Sequence, residues 1–498
     1  MHTILTGLDS RKLLVWVLFV GIFAMALRPA SDSDMWWHLR SGQHILETGA
    51  IPRLDPFSHT RLGQPWVDQS WLAQVALWGT YHLLGFGGLA LGVALVVLAT
   101  FIVVFLDSPG HLYVRVGGVL LAALASAVFW SPRPQMASLL LLAGVAYLLH
   151  RYRRGGKGRV LWLLPPLFAL WANLHAAWMA GLLFVGCGVG GDLLAGLLAR
   201  SDEEARRLWR RAGALALMLV LSAGAVCLNP QGPAMLRYPF QTVGMKVLQE
   251  FIQEWASPDF HRLSFHPFIW LFLATACALA LSRKAKDPGD LAAFVLFAAL
   301  ALTSGRNVAL FAVVAAPMLT EHATEALAPL LARAAVSDRR PTPIWQGGMN
   351  GGIGLLILLA MGVRAWAGPL NPSAVGLEHR QQFPVQAAQF LLQERPAGAL
   401  FNSYNWGGYL IWSLYPAYQV YVDGRTDLYD DTLLQEYLQV AQLQAGWEEV
   451  LERRGVRLVL VESGQPLAAF LAQREGWSVL YQDDLAVVLA RQLGGGGP

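Results

Sequence analysis

Long runs of uncharged, apolar residues recur from the start of the chain to about residue 365. A run of about 20 such residues can cross the ~30 Å hydrocarbon core of a bilayer as a helix, which pairs its own backbone groups internally. Composition agrees. Only 14% of the 498 residues are charged, against about a quarter in a soluble chain. The hydrophobic fraction is 55% before the 49 Gly are counted. Charges nearly balance, 37 Lys+Arg against 33 Asp+Glu, for a formal +4. These values exclude a disordered chain and a basic nucleic-acid binder, so no nucleic-acid partner is expected. Cys187, Cys227 and Cys277 each lie in an apolar run, which argues against a disulfide scaffold and against zinc.

Eleven candidate spans fall at 12–29, 86–106, 112–130, 135–150, 160–174, 178–199, 212–228, 267–282, 290–303, 307–320 and 348–365. With a cytoplasmic N-terminus, the even-numbered connections should be basic. Segment 151–159 has five basic residues and no acid, 200–211 has five Arg, and 283–286 has three basic residues. Arg333, Arg339 and Arg340 follow in the next inside connection. The first span has a rival reading as a cleaved signal peptide ending near 24–26; an uncleaved anchor is favoured because a polar segment follows at once.

The predicted fold is therefore an α-helical polytopic membrane protein of about eleven spans over 1–365, in the cell membrane. A linker at 366–377 and an extracytoplasmic α/β domain at 378–498 complete it. In that tail, strands are expected near 399–402, 418–422, 456–461, 477–481 and 485–490. Helices are expected at 384–394, 406–414, 432–442, 447–454 and 466–474. The closing LGGGGP reads as a frayed end.

The first outer loop, 30–85, carries Asp32, Asp34, Asp55 and Asp68 together with His38. Asp34 and His38 are spaced i,i+4 and share a face if 33–47 is helical. Met35, Trp36, Leu39 and Leu46 form the other face, predicting a helix in the membrane interface with Trp36 and Trp37 at headgroup level. Each acid alone reads as a helix cap or turn residue. Gathered at one membrane face they read as a site. A carboxylate there can deprotonate a hydroxyl, and Asp32 and Asp34 are candidate ligands for a divalent cation such as Mg or Mn.

The acidic pair just after the first span, the large outer loop, the many spans and the outer α/β tail together resemble the GT-C superfamily of membrane glycosyltransferases. That superfamily includes protein mannosyltransferases, the lipid A aminoarabinose transferase and oligosaccharyltransferase catalytic subunits. The segments DSDMWWHLRSG, WANLHAAW, LNPQG, EWASPDF and SGRNVALF are similar to those of bacterial multi-span proteins grouped with these enzymes. The resemblance implies inverting transfer of a sugar from a polyprenyl-phosphate donor to an acceptor on the outer face. It gives the base to Asp34, with Asp32 as alternate; here Ser33 separates the two acids.

Other polar residues fall on the same face. Arg306, in Ser304-Gly305-Arg306-Asn307, is suited to hold the donor phosphate through paired N–H groups, as is Arg133 in Ser-Pro-Arg-Pro. His175, in Trp-Ala-Asn-Leu-His, is a third candidate contact. Loop 229–266 can cover the outer face, with Glu254, beside Asp55 and Asp68, as an acceptor or loop contact and Lys246–Gln253 as a lid helix. In the tail, Asn402, Tyr404, Asn405 and Trp406 form a polar and aromatic patch; 421–427 follows a predicted strand, where α/β sheets present ligand contacts, but Asp423-Gly424 is favoured as a turn. A secondary transporter and a non-catalytic scaffold are the competing classes. A transporter would show mid-membrane ionisable groups and matching halves; a scaffold would tolerate loss of Asp32 and Asp34.

Overall fold

The computed structural model describes residues 9–243, 254–334 and 344–492. The proposed lid helix, Arg339, Arg340 and the LGGGGP end lie outside them. A helix occupies each of the eleven predicted apolar stretches: α1 (Ser10–Ala26), then, after a loop helix α2 (Met35–Thr48), α3 (Trp71–Asp107), α4 (Leu112–Ser126), α5 (Gln135–Arg153), α6 (Leu164–Leu174), α7 (Trp178–Leu197), α8 (Asp202–Val226), α9 (His266–Leu281), α10 (Pro288–Thr303), α11 (Val308–Ala326) and α12 (Ile344–Ala367). Among the described residues, six helical segments are long and apolar enough to cross a membrane. The chain is a membrane protein.

Local chemistry sets the helix ends. Asp9 caps α1, accepting the Lys12 N–H at 2.8 Å. Ser201 caps α8, whose first turn carries Asp202, Glu203 and Glu204 where the helix dipole favours negative charge. Asp287 caps α10 just before Pro288. Helix α3 has 37 residues, about 55 Å at 1.5 Å per residue, far more than a bilayer core needs. Its first turns are set off from the rest by a break at Gly85, where φ is 62°.

An ion network closes the membrane bundle at the end away from the first loop. Asp107 meets His150 at 2.6 Å, and Arg153 meets Asp290 at 2.9 Å and Asp192 at 3.1 Å. Asp192, fully buried, also accepts from Arg211 Nε at 2.6 Å. Charges this deep persist only when paired. They tie α3, α5, α7, α8 and α10 together rather than line a path.

Beyond α12 the chain forms α13 (Pro372–Gln382), capped by Asn371, then α14 (Val385–Glu394) and a four-stranded sheet. Helix α13 thus begins inside the stretch read as a linker. The strands are β1 (Ala399–Asn402), β2 (Val456–Glu462), β3 (Trp477–Gln482) and β4 (Ala486–Arg491), in the order β1-β2-β4-β3. β1 and β2 are parallel, with Leu400 beside Leu458; β4 runs antiparallel to both β2 and β3. Helices α15 (Gly407–Leu414), α16 (Asp431–Ala441), α17 (Trp447–Arg453) and α18 (Pro466–Gln473) lie near their predicted positions.

Two expectations are corrected. Residues 418–422 are not a strand of this sheet. Their backbone is taken by the first loop: Val420 N–H donates to Phe57 O at 3.1 Å, and His59 N–H donates to Val420 O at 3.0 Å. Second, Trp36 and Trp37 of α2 are not exposed as headgroup-level residues would be. Trp36 is 2% exposed and is enclosed by Phe86, His379, Phe383 and Tyr409 at ring distances of 4.9–5.5 Å. Edge-to-face packing of this kind stabilises more than area alone. The first loop and the tail therefore share one hydrophobic core, separate from that of the membrane helices.

Candidate active site

A cavity of about 1200 Å3 lies between one end of the membrane helices, the first loop and the tail. Asp34, His38, Arg133, His175, Glu254 and Arg306 all line it, so the structure brings six of the sequence-predicted residues to one place. Asp34 is the N-cap of α2, yet its side chain makes no cap bond. The backbone N–H of Asp34 instead donates to Asp32 Oδ1 at 2.8 Å, which turns the Asp34 carboxylate toward Arg133. Arg133 Nη2 lies 2.8 Å from Asp34, and its Nη1 lies 2.7 Å from Glu254 and 3.8 Å from Asp32.

Electrostatics differ around the cavity. Burial, the largest influence, raises the Asp34 carboxyl to about 7; Arg133 opposes it, while Asp32 and Glu254 add to it. Burial also pushes Glu254 upward, but Arg133 and Arg306 outweigh it and hold this carboxyl below its ordinary value. His175 is pulled down to about 3 by burial, helped by Arg306 and Arg133. Its hydrogen bonds agree. The Ala177 N–H donates to His175 Nδ1 at 3.4 Å, so that nitrogen accepts, and Ser138 Oγ, which accepts from Trp171 Nε1, lies 2.8 Å from it. His175 is therefore neutral with its proton on Nε2. His38 is likewise lowered by burial, Arg133 and His175.

Arg306 sits 4.4 Å over the Trp255 ring. Its turn is bound to the covering loop: Gly305 N–H donates to Ala256 O at 2.9 Å and Arg306 N–H to Glu254 O at 3.1 Å. No carboxylate lies within ion-pair distance of Arg306 among the described residues. A half-buried guanidinium without a counter-ion among the described residues calls for an anion.

Asp55 and Asp68 do not line this cavity. Asp55 is fully buried and pairs with Arg425 at 2.6 Å, which joins the first loop to the tail. Asp68, pushed up to about 7 chiefly by burial, accepts from Gln74 at 2.7 Å. Asp423-Gly424 is more than a turn. Asp423 is buried against Arg425, and Gly424 lies against Asp34, where an added Cβ would fall 1.7 Å from Oδ1. Gly424→Ala is expected to push the Asp34 carboxylate out of place and, if that group does chemistry, to cut turnover by about 10²-fold, because small displacements of a reacting group cost that much. Gly464→Ala, which meets nothing within 4 Å, serves as the silent control.

Sequence reasoning missed the tail's share of the wall. Tyr404 and Asn405 were singled out, but Ser403, Tyr437, Glu462 and Gln465 also face the cavity. Glu462 ends a parallel strand, the position where α/β sheets present ligand contacts, and that signal was readable. Nothing marked Ser138.

The helix arrangement, the first loop and the cavity beneath an α/β tail are similar in fold to solved structures of an archaeal oligosaccharyltransferase. The oligosaccharyltransferase of Archaeoglobus fulgidus in its apo form matches with a TM-score of 0.55 at 13% identity, over 91% of this chain and 69% of that one. The same archaeal enzyme, AglB, in complex with an inhibitory peptide and a dolichol-phosphate matches at 0.54 and 12%, with the same coverage. ArnT from Cupriavidus metallidurans bound to undecaprenyl phosphate covers 98% of both chains at 15% identity and a TM-score of 0.49. No family model and no curated protein matches the sequence.

A further structure of the archaeal enzyme is a complex with Zn and sulfate. The residues here do not fit a metal. No group of three or more His, Cys, Asp or Glu is placed to hold one among the described residues. Asp32, Asp34 and Glu254 converge on a guanidinium instead.

Proposed function

We propose that this chain is an inverting membrane glycosyltransferase that moves a sugar from a polyprenyl-phosphate donor to an acceptor on the extracytoplasmic face. In this reading the eleven helices at the predicted positions span the membrane. The N-terminus is cytoplasmic, and the tail roofs the cavity from outside. The observation that carries it is Arg306: a cavity cation with no ion-pair partner among the described residues, beside a carboxylate held near neutrality. That is the asymmetry needed to hold a phosphate next to a base.

The acceptor O–H gives its proton to Asp34 as its oxygen bonds the anomeric carbon. The bond from that carbon to the phosphate oxygen breaks on the opposite face, and its electron pair leaves with the polyprenyl phosphate. Arg306 and the His175 Nε2–H receive the charge that develops there. Apolar Met179, Leu183 and Leu310 line the same cavity and suit the first isoprene units.

The base must be ionised to act, and its pKa is raised to about 7. The transfer rate is therefore expected to climb with pH through about 7 and then level off. An unshifted Asp, near 3.9, would give a flat profile from about pH 5 upward. Transfer from a panel of radiolabelled polyprenyl-phosphate sugars, with purified protein, tests the function. Donor binding without turnover would mean that the acceptor is missing from the assay. No binding of any donor would sink the proposal.

A further inference from the structure

Three carboxylates, Asp32, Asp34 and Glu254, come from two separate segments and meet at one largely buried point. Like charges gathered there need a cation between them. Arg133 is that cation, and its backbone is fixed. It stands between Pro132 and Pro134, its N–H donates to Ser131 O at 2.7 Å, and its carbonyl accepts from Met136 N–H at 3.1 Å. Its fork divides the work, Nη2 to Asp34 and Nη1 to Glu254 and Asp32. The Arg133 side chain is 15% exposed, and the Asp32 and Asp34 side chains are about as well covered.

We propose that the Arg133 guanidinium fills the position a divalent cation would take, so that the carboxylate cluster works with an internal, covalently tethered cation and binds no metal. A guanidinium stays charged at any working pH and cannot dissociate. Arg133 is thus a positioning residue. It aims Asp34, and it binds Glu254 so that the covering loop, which carries Trp255 beneath Arg306, stays docked. Without the guanidinium, the three carboxylates would have to draw together to become hard oxygen ligands of the kind Mg2+ and Mn2+ take.

The test is Mn2+ binding by the full-length protein, followed by electron paramagnetic resonance. Wild type, Arg133→Ala and Arg133→Ala/Asp34→Asn are compared, and thermal unfolding confirms that each is folded. Wild type is expected to show no saturable site. Arg133→Ala should gain one, at least about tenfold tighter than wild type, and the double variant should lose it again. A saturable wild-type site that Asp32→Asn or Asp34→Asn removes would overturn the inference. So would a folded Arg133→Ala that gains no site. The role of Arg133 in aiming the base rests on the transferase reading, but the metal measurement does not. If wild type transfers no sugar while Arg133→Ala gains Mn2+, the function falls and the charge replacement stands. If transfer is seen, it should persist undiminished in wild type treated with a chelator.

Discussion

Asp34→Asn is expected to slow sugar transfer by about 10³-fold, some 4 kcal/mol of barrier, with the fold intact. The size follows from the loss of the only group placed to take the acceptor proton in the proposed mechanism. The exchange is isosteric, and Arg133 keeps Glu254 at 2.7 Å. Stability gives a separate check with a definite sign. The folded protein holds the Asp34 proton up to about 7, whereas the unfolded chain releases it near 3.9. Ionising Asp34 therefore costs stability as pH rises from about 4 to about 7. Asn carries no such cost, so at pH 8 the variant should unfold at the same temperature as wild type or higher. Slow transfer with a lowered Tm would point to a structural role for Asp34.

Arg425→Met is expected to cost about 3–5 kcal/mol of stability, the usual result of leaving a buried charge partner alone. Arg425 is fully buried. It donates from Nη1 to Asp55 at 2.6 Å, from Nε to Asp423 at 2.8 Å and from Nη2 to Asp423 at 2.7 Å. Its guanidinium also lies 4.8 Å from the Trp66 ring and 5.3 Å from Phe57. Met fills the volume but leaves both carboxylates unpaired. Thermal unfolding with limited proteolysis should show the first loop and the tail becoming accessible together. Restoring neutrality with Asp55→Asn and Asp423→Asn in the same chain should recover much of the loss. If Arg425→Met alone unfolds like wild type, this cluster does not hold the junction.

Much of the fold was legible because the strongest signals are local. Apolar run length placed helices at all eleven stretches, and short apolar strands with turn residues between them placed β1, β2, β3 and β4. The errors share one cause. Trp36 and Trp37 look interfacial, and Tyr418–Val422 looks like a strand, until the loop and the tail are brought together from opposite ends of the sequence. Asp55 looked like a site residue for the same reason; its partner Arg425 lies 370 positions away. Arg133 seemed second to Arg306, because nothing near it in sequence announces Glu254. Asp192 was readable, a lone acid inside an apolar run, and such residues are paired or functional. The site was legible as a set of polar residues on one face. Which of them touch was not.

The core shared by α2 and the tail also sets the order in which the molecule can be finished. Trp36 leaves the ribosome roughly 350 residues ahead of Phe383 and Tyr409, some tens of seconds earlier at ordinary rates of synthesis. During that time every later membrane helix emerges while α2 still lacks its packing against the tail. The carboxylate cluster waits too, since Gly424 and the wall carrying Tyr404 and Glu462 arrive last. A chain stalled before residue 380 would therefore hold all of its membrane helices and no closed cavity.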